Sequence, residues 1–374
     1  MDDTAEDAGG MAASEQTRDH RFPCDTCGAD MRFDPGTGTM LCDHCGNTAV
    51  LNDRAPVHPI AELDFRAATR KALPEAEFEE TRVDKCPNCG AEVEVDEKIH
   101  ATECPFCATP LVTDTGVHRH IKPRGVLPFV LSETVARQAM TDWLGRLWFA
   151  PGGLKDYARK GRRMQGIYVP YWTFDADTRS AYSGERGTVY FETVTVVRDG
   201  KRMRQQVPRV RWRPASGRVA RFFDDVLVLA SKSLPKTFTD ALQPWDLSGL
   251  QPYAPEFLAG FRAEGYGVTL EEGFTEAREI MDRVIARDVR FDIGGDRQRV
   301  HDIRTEIGGI TFKHVLLPVW LAAYKFRGRT YRFVVNGQTG KVQGERPYSK
   351  IKVAFAVILG LLAAALIGYG MAQQ

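Results

Sequence analysis

Eight cysteines fall into four Cys-x-x-Cys pairs: Cys24/Cys27, Cys42/Cys45, Cys86/Cys89 and Cys104/Cys107. Fourteen residues separate Cys27 from Cys42, and fourteen separate Cys89 from Cys104. Four thiolates suit one tetrahedral zinc ion, because soft sulfur ligands favour it. A two-residue spacer lets one tight turn aim both sulfurs at a point. Gly28, Gly46 and Gly90 follow the second cysteine of a pair, where such a turn needs backbone that glycine supplies. The spacing predicts two tandem four-cysteine zinc ribbons, each closed on one structural Zn2+. Four thiolates leave no position for water, so Lewis-acid catalysis is not expected there. A disulfide framework would need an oxidising compartment. Residues 1–20 are acidic and lack the apolar run of a secretory signal.

Charge decides what such ribbons could touch. Between Cys24 and Cys45 lie Asp25, Asp30, Asp34 and Asp43 against Arg32. Between Cys86 and Cys107 lie Glu92, Glu94, Asp96, Glu97 and Glu103 against Lys98. Nucleic-acid affinity rests on cations that displace counterions, so both modules argue against a nucleic-acid role and for protein contact or intramolecular docking. The whole chain has a net charge of +1, which hides this segregation.

Residues 1–20 form an acidic leader predicted to be disordered. The first ribbon spans 21–51, a linker with a short helix 52–84, and the second ribbon 85–113. Residues 114–347 have the composition of a globular core, and 348–374 form a basic flank and an apolar tail. Val353–Ala372 carries no charge and is long enough, as a helix of about 30 Å, to cross a bilayer. Arg346, Lys350 and Lys352 precede it, which places the bulk of the chain in the cytoplasm by the positive-inside rule. Gly360 and Ala364 offer a small-xxx-small pair for self-association of that helix.

The core repeats itself. Pro170 and Trp172 recur at the same offset as Pro318 and Trp320. Upstream of each pair lies an apolar helix face, Ala136, Met140, Trp143, Leu144 and Leu147 in the first, Ala277, Ile280, Met281, Val284 and Ile285 in the second. Apolar runs at Val126–Leu131 and Tyr266–Leu270 precede those helices. The order strand–helix–strand–strand, twice, predicts a duplicated α+β core with antiparallel sheets.

Two further groups invite chemistry. The stretch 198–221 is strongly basic, and Arg209, Arg211 and Arg213 alternate with Val210 and Trp212. On a strand they would form a cationic row. That row could dock the acidic ribbons, meet anionic lipid, or serve a nucleic-acid-associated factor. Asp292, Asp296 and His301 could serve a hydrolase, although short Asp–Gly elements are commonly turns and no third group completes a triad. His314 opens an apolar strand and reads as a hydrogen-bonded edge residue. No phosphate-loop signature occurs.

Several longer motifs accompany the cysteines: Phe222-Phe-Asp224-Asp225-Val-Leu-Val, Asp292-Ile-Gly-Gly-Asp296, Thr311-Phe-Lys-His-Val-Leu-Leu-Pro318-Val-Trp320 and Val335-Asn336-Gly-Gln-Thr-Gly340. With them the chain resembles the bacterial TFIIB-type zinc-ribbon membrane proteins, over nearly all of its length beyond the leader. Members are often labelled primosomal protein N′ or replication factor Y helicase. The helicase label conflicts with this sequence, which lacks a phosphate loop and is too short for two motor domains. The resemblance implies zinc at all eight cysteines and a membrane location. It also implies recruitment of flotillin-like (SPFH) or phage-shock envelope-stress proteins. The expectation is a non-enzymatic, single-pass adaptor on the cytoplasmic face of the inner membrane.

Overall fold

The computed structural model describes residues 22–51, 60–88, 90–94, 101–106, 109–112, 116–149, 164–198, 201–326, 329–345 and 348–372. The expected disordered leader lies outside them. The first module is a small antiparallel sheet of β1 (Arg32–Asp34), β2 (Thr39–Leu41) and β3 (Thr48–Ala49). In the linker, β4 (Leu63–Asp64) joins the main sheet beside Phe312, and among its described residues only Phe65–Thr69 is α-helical. The expected linker helix is thus short, with Asp64 as its N-cap: Ala67 N–H donates to the Asp64 carboxylate.

Next come β5 (Phe78–Lys85), β6 (Glu92–Glu94) and β9 (Gly116–Ile121) in one sheet, with β7 (Ala101–Glu103) and β8 (Pro110–Val112) forming a separate pair. The core adds β10 (Gly125–Val126), β11 (Gln165–Arg198), β12 (Lys201–Leu229), β13 (Gln251–Pro252), β14 (Arg262–Ala263), β15 (Arg297–Phe326), β16 (Arg329–Asn336) and β17 (Val342–Gly344).

The two core repeats do not build separate antiparallel sheets. They interleave in one mixed nine-stranded sheet. A short strand ahead of each repeat's helix pairs in parallel with the long strand of the other repeat, β10 with β15 and β14 with β11. Neither fills its expected run: β10 takes in only Val126 of Val126–Leu131, and β14 ends before Tyr266–Leu270, which is not a strand. Long strands β11 and β15 run antiparallel, with Tyr168 opposite Pro318, Val169 opposite Leu317 and Pro170 opposite Leu316. Val169 and Leu317 therefore stand at a pseudo-dyad. The two tryptophans obey it as well. Trp172 Nε1 donates to Val268 O, just before the helix Leu270–Ile293. Trp320 Nε1 donates to Leu131 O, just before the helix Glu133–Gly145. Each repeat thus pins the helix entry of the other. Both tryptophans are buried and serve as core anchors.

The helix Leu270–Ile293 opens on a capping box between Thr269 and Glu272 and buries Ala277, Met281, Ile285, Val289 and Ile293 at helical spacing. Ile280 and Val284, on the flank of that face, are half-buried. Gly273 fits because a Cβ there would lie 2.7 Å from Trp172 Cδ1. The first repeat's helix stops at Gly145, so Leu147 lies beyond it.

β11 and β12 stay paired from Tyr171–Leu229 to Arg198–Lys201, a ribbon of about 90 Å. β15 accompanies it only as far as Arg297, opposite Gly187. Beyond that point the ribbon is a two-stranded arm. The final helix, Lys350–Ala372, contains an apolar stretch, Ile351–Met371, long and apolar enough to cross a membrane and left unburied by the described residues.

Candidate metal centre

Four sulfurs converge in the first module. Cys24 Sγ lies 3.6 Å from Cys45 Sγ, and Cys27 Sγ lies 3.5 Å from Cys42 Sγ. All four lie within 4.8 Å of one another. Two matching knuckles bring them there. Gly28 N–H donates to Cys24 O and Gly46 N–H to Cys42 O, each from a glycine at positive φ, +73° and +76°. Cys24 and Cys42 are buried, while Cys27 and Cys45 face outward. Thr26 N–H and the Asn47 amide both donate to Cys24 Sγ. The Thr26 hydrogen bond, foremost, draws the Cys24 thiol down to about 6, which favours the ligating thiolate. A group of this kind can hold one metal ion through four sulfurs.

The second four-cysteine ribbon does not stand as expected. Among the described residues, cysteine sulfurs converge only at Cys24, Cys27, Cys42 and Cys45; the other convergent ligand set is acidic, Asp175, Asp224 and Asp225. Cys86 and Cys104 are buried, and Gly90 N–H donates to Cys86 O, but Cys89 and Cys107 lie outside the described residues. The expected fold of two tandem ribbons is corrected accordingly: among the described residues, one four-cysteine module stands on a mixed nine-stranded sheet.

That module does not dock on the arginine row either. Phe33 packs edge-on against Phe257, with centroids 5.6 Å apart, and tilts toward Phe261 at 6.4 Å. Its N–H donates to Ala259 O at 2.9 Å. Gly260, at φ +84°, lets this segment approach, since a Cβ there would stand 2.8 Å from Arg32 Cβ. The contact is apolar and backbone-mediated; the acidic charge stays outside, where Asp43 pairs with Arg32 at 2.8 Å. The arginines of the row find other partners. Arg209 pairs with Glu192 at 3.0 Å, and Arg211 lies over the Tyr190 ring. Alternation does put Arg209, Arg211 and Arg213 on one exposed face of β12.

The sheet carries a second polar group. Lys313, on an otherwise apolar stretch of β15, reaches Glu62 and Asp225 at 2.8 Å each and Asp175 at 3.7 Å. Asp175 is opposed by both Asp224 and Asp225, a bulge that leaves Asp225 at φ +50° and lets its N–H donate to Asp175. Thr311 hydroxyl bonds Glu62 and Asp175. Burial, with Glu62 beside it, pushes Asp175 up to about 6. Partial burial works against Glu62, yet hydrogen bonds from Asp175, Lys313 and Thr311 bring it down to about 2. Of the two carboxyls, Asp175 is therefore the first to take up a proton as pH falls. Burial alone would lower Lys313, but its carboxylate partners outweigh that and raise it.

Sequence reasoning noted Asp224 and Asp225 but missed Glu62, Asp175, Thr311 and Lys313. The available signal was a lysine inside an apolar run. His314, the next residue, is buried and its Nδ1 bonds Ile121 O at 2.8 Å, so it is a core residue tying β15 to β9 rather than an edge one.

Asp292, Asp296 and His301 are not gathered into one group. Asp292 accepts from Tyr182 hydroxyl, Asp296 accepts from Val189 N–H, and His301 faces Glu185 at 3.8 Å. Each of the three has its own structural partner at the root of the arm.

The chain is similar to the uncharacterized protein YdjG of Bacillus subtilis (strain 168). The two are 28% identical over 348 residues, which span 89% of this chain and 92% of that protein. No family model and no solved structure matches the chain.

Proposed function

We propose that the protein is a membrane-anchored, zinc-holding scaffold with its folded part on the cytoplasmic face of a bacterial inner membrane. The observation that carries this reading is a pairing of features. A preassembled four-cysteine site is docked on the sheet domain, and an apolar helix of 21 residues is left uncovered at the other end. Zinc is the ion of choice, because Zn–S bonds of about 2.3 Å in a tetrahedron set sulfurs about 3.8 Å apart. The closest sulfur pairs here are 3.5 and 3.6 Å apart. When bound, the ion locks the two knuckles; it fills its shell with sulfur and has a structural role. Lys350 and Lys352 at the helix entry support a cytoplasmic N-terminal side.

The adaptor role rests on surface. The two-stranded arm exposes Phe191 and Met203 amid basic residues, and the acidic ribbon face is turned away from the domain it docks on. The partner class is the one the family resemblance implies, an SPFH or phage-shock protein of envelope stress. Affinity capture from detergent extracts tests it. Wild type should retain a membrane-scaffold partner that Cys24→Ser/Cys42→Ser loses, and identical partner sets would remove the ribbon from recognition. Shortening the arm between Tyr190 and Arg209 separates arm-mediated from ribbon-mediated capture.

A further inference from the structure

Exposed aromatic side chains stand beside the start of the terminal helix. Trp148 is 80% exposed and Tyr348 65%, and Phe149 is exposed beside them. Two hydrogen bonds tie their backbones to that helix. Ser349 N–H donates to Phe149 O at 2.7 Å, and Lys352 Nζ donates to Trp148 O at 3.2 Å. The other side of this loop is fixed to the folded domain. It directly follows the helix Glu133–Gly145, which it closes through Arg146 N–H to Trp143 O and Leu147 N–H to Leu144 O. That helix is seated by buried Ala136, Met140 and Leu144 and by Trp143 against Phe333, with ring centroids 5.6 Å apart. Trp148 is therefore held between a packed helix and the entry of the apolar one.

Indole and phenol rings combine an apolar body with a polar tip, and they settle at the headgroup level of bilayers. Tyr348 precedes the apolar stretch by three residues, within about 5 Å along a helix axis. Lys352 brings a cation to the same level, where anionic headgroups attract it. We propose that Trp148, Phe149 and Tyr348 seat in the lipid headgroup zone and hold the sheet domain against the membrane at a fixed attitude. This rests on the reading that Ile351–Met371 crosses that same bilayer. The domain is then clamped at two points and does not swing on a tether.

Full-length protein in vesicles of phosphatidylcholine and phosphatidylglycerol, with the acyl chains brominated near their headgroup end, tests the inference. Bromine quenches an indole that touches it. Of the six tryptophans, Trp172, Trp245 and Trp320 are buried and Trp143 and Trp212 half-buried, so Trp148, the exposed one, should dominate the quenching. Trp148→Phe, a change at an exposed site, is expected to keep the circular dichroism spectrum and to lose most of the quenching. Equal quenching in wild type and Trp148→Phe overturns the inference, as does no quenching in a wild type that co-floats with the vesicles. A wild type that fails to co-float removes the anchor reading itself, and this inference with it.

Discussion

Replacing Phe33 by alanine should undock the metal module without emptying it. Phe33 is 2% exposed, and its ring contacts come from Phe257 and Phe261 of the sheet domain. Truncating a buried phenylalanine costs about 3–5 kcal/mol. Its ring faces the docking segment, so most of that loss, about 3 kcal/mol, falls on docking. At about 1.4 kcal/mol per decade, the undocked population rises roughly 100-fold. The amide of residue 33 donates to Ala259 O across the same contact, so it reports the opening directly. Hydrogen exchange at that amide should lose roughly 100-fold in protection. Bound metal should stay constant, because Phe33 supplies no ligand. A loss of protection below about threefold, or a loss of metal in step with it, would refute the docking argument.

Burial draws His314 down to about 4 from an ordinary 6.5, so the unfolded chain takes up its proton first as pH falls. The stability present above pH 6.5 is lost as pH falls toward 4, by about 3 kcal/mol in all. His314→Asn keeps a donor for Ile121 O and should remove that part of the pH dependence; parallel urea midpoints for both chains between about pH 7 and 5 would show otherwise. Lys313→Met leaves three carboxyls without their cation and should cost about 3 kcal/mol in denaturant titration, tempered by the partial exposure of Glu62 and Asp225. Adding Asp175→Asn should recover part of that loss, and a strictly additive double variant would contradict the network. Gly260→Ala meets Arg32 Cβ and a left-handed backbone, so it should weaken ribbon docking in the same exchange assay that reports Phe33→Ala.

Local patterns carried much of the architecture. Cysteine spacing located the first knuckles, and the shared offset of Pro170–Trp172 and Pro318–Trp320 exposed the repeat. Helical spacing found Ala277, Met281 and Ile285 as the buried face. What stayed hidden was pairing between distant segments. Nothing local says that β10 pairs with β15, or that Trp172 bonds ahead of the other repeat's helix, because register is set by facing side chains far away in the chain. The Lys313 cluster was hidden for the same reason. Glu62, Asp175, Asp225 and Lys313 come from four separate segments and meet only through a bulge that no run of residues announces. The arginine row was legible as a row, but charge alone misdirected the ribbon. An apolar Phe33 with its backbone N–H outweighed the attraction of exposed, solvent-screened charges.

A thiolate-held metal and retention of the chain by its apolar helix are the two central features. Zinc per chain, measured by native mass spectrometry on protein extracted from carbonate-washed membranes, tests both at once. Wild type should be found in that fraction with zinc bound, and Cys24→Ser/Cys42→Ser should be found there with about one zinc fewer. Equal zinc in the two chains, or a wild type released by carbonate, would contradict it.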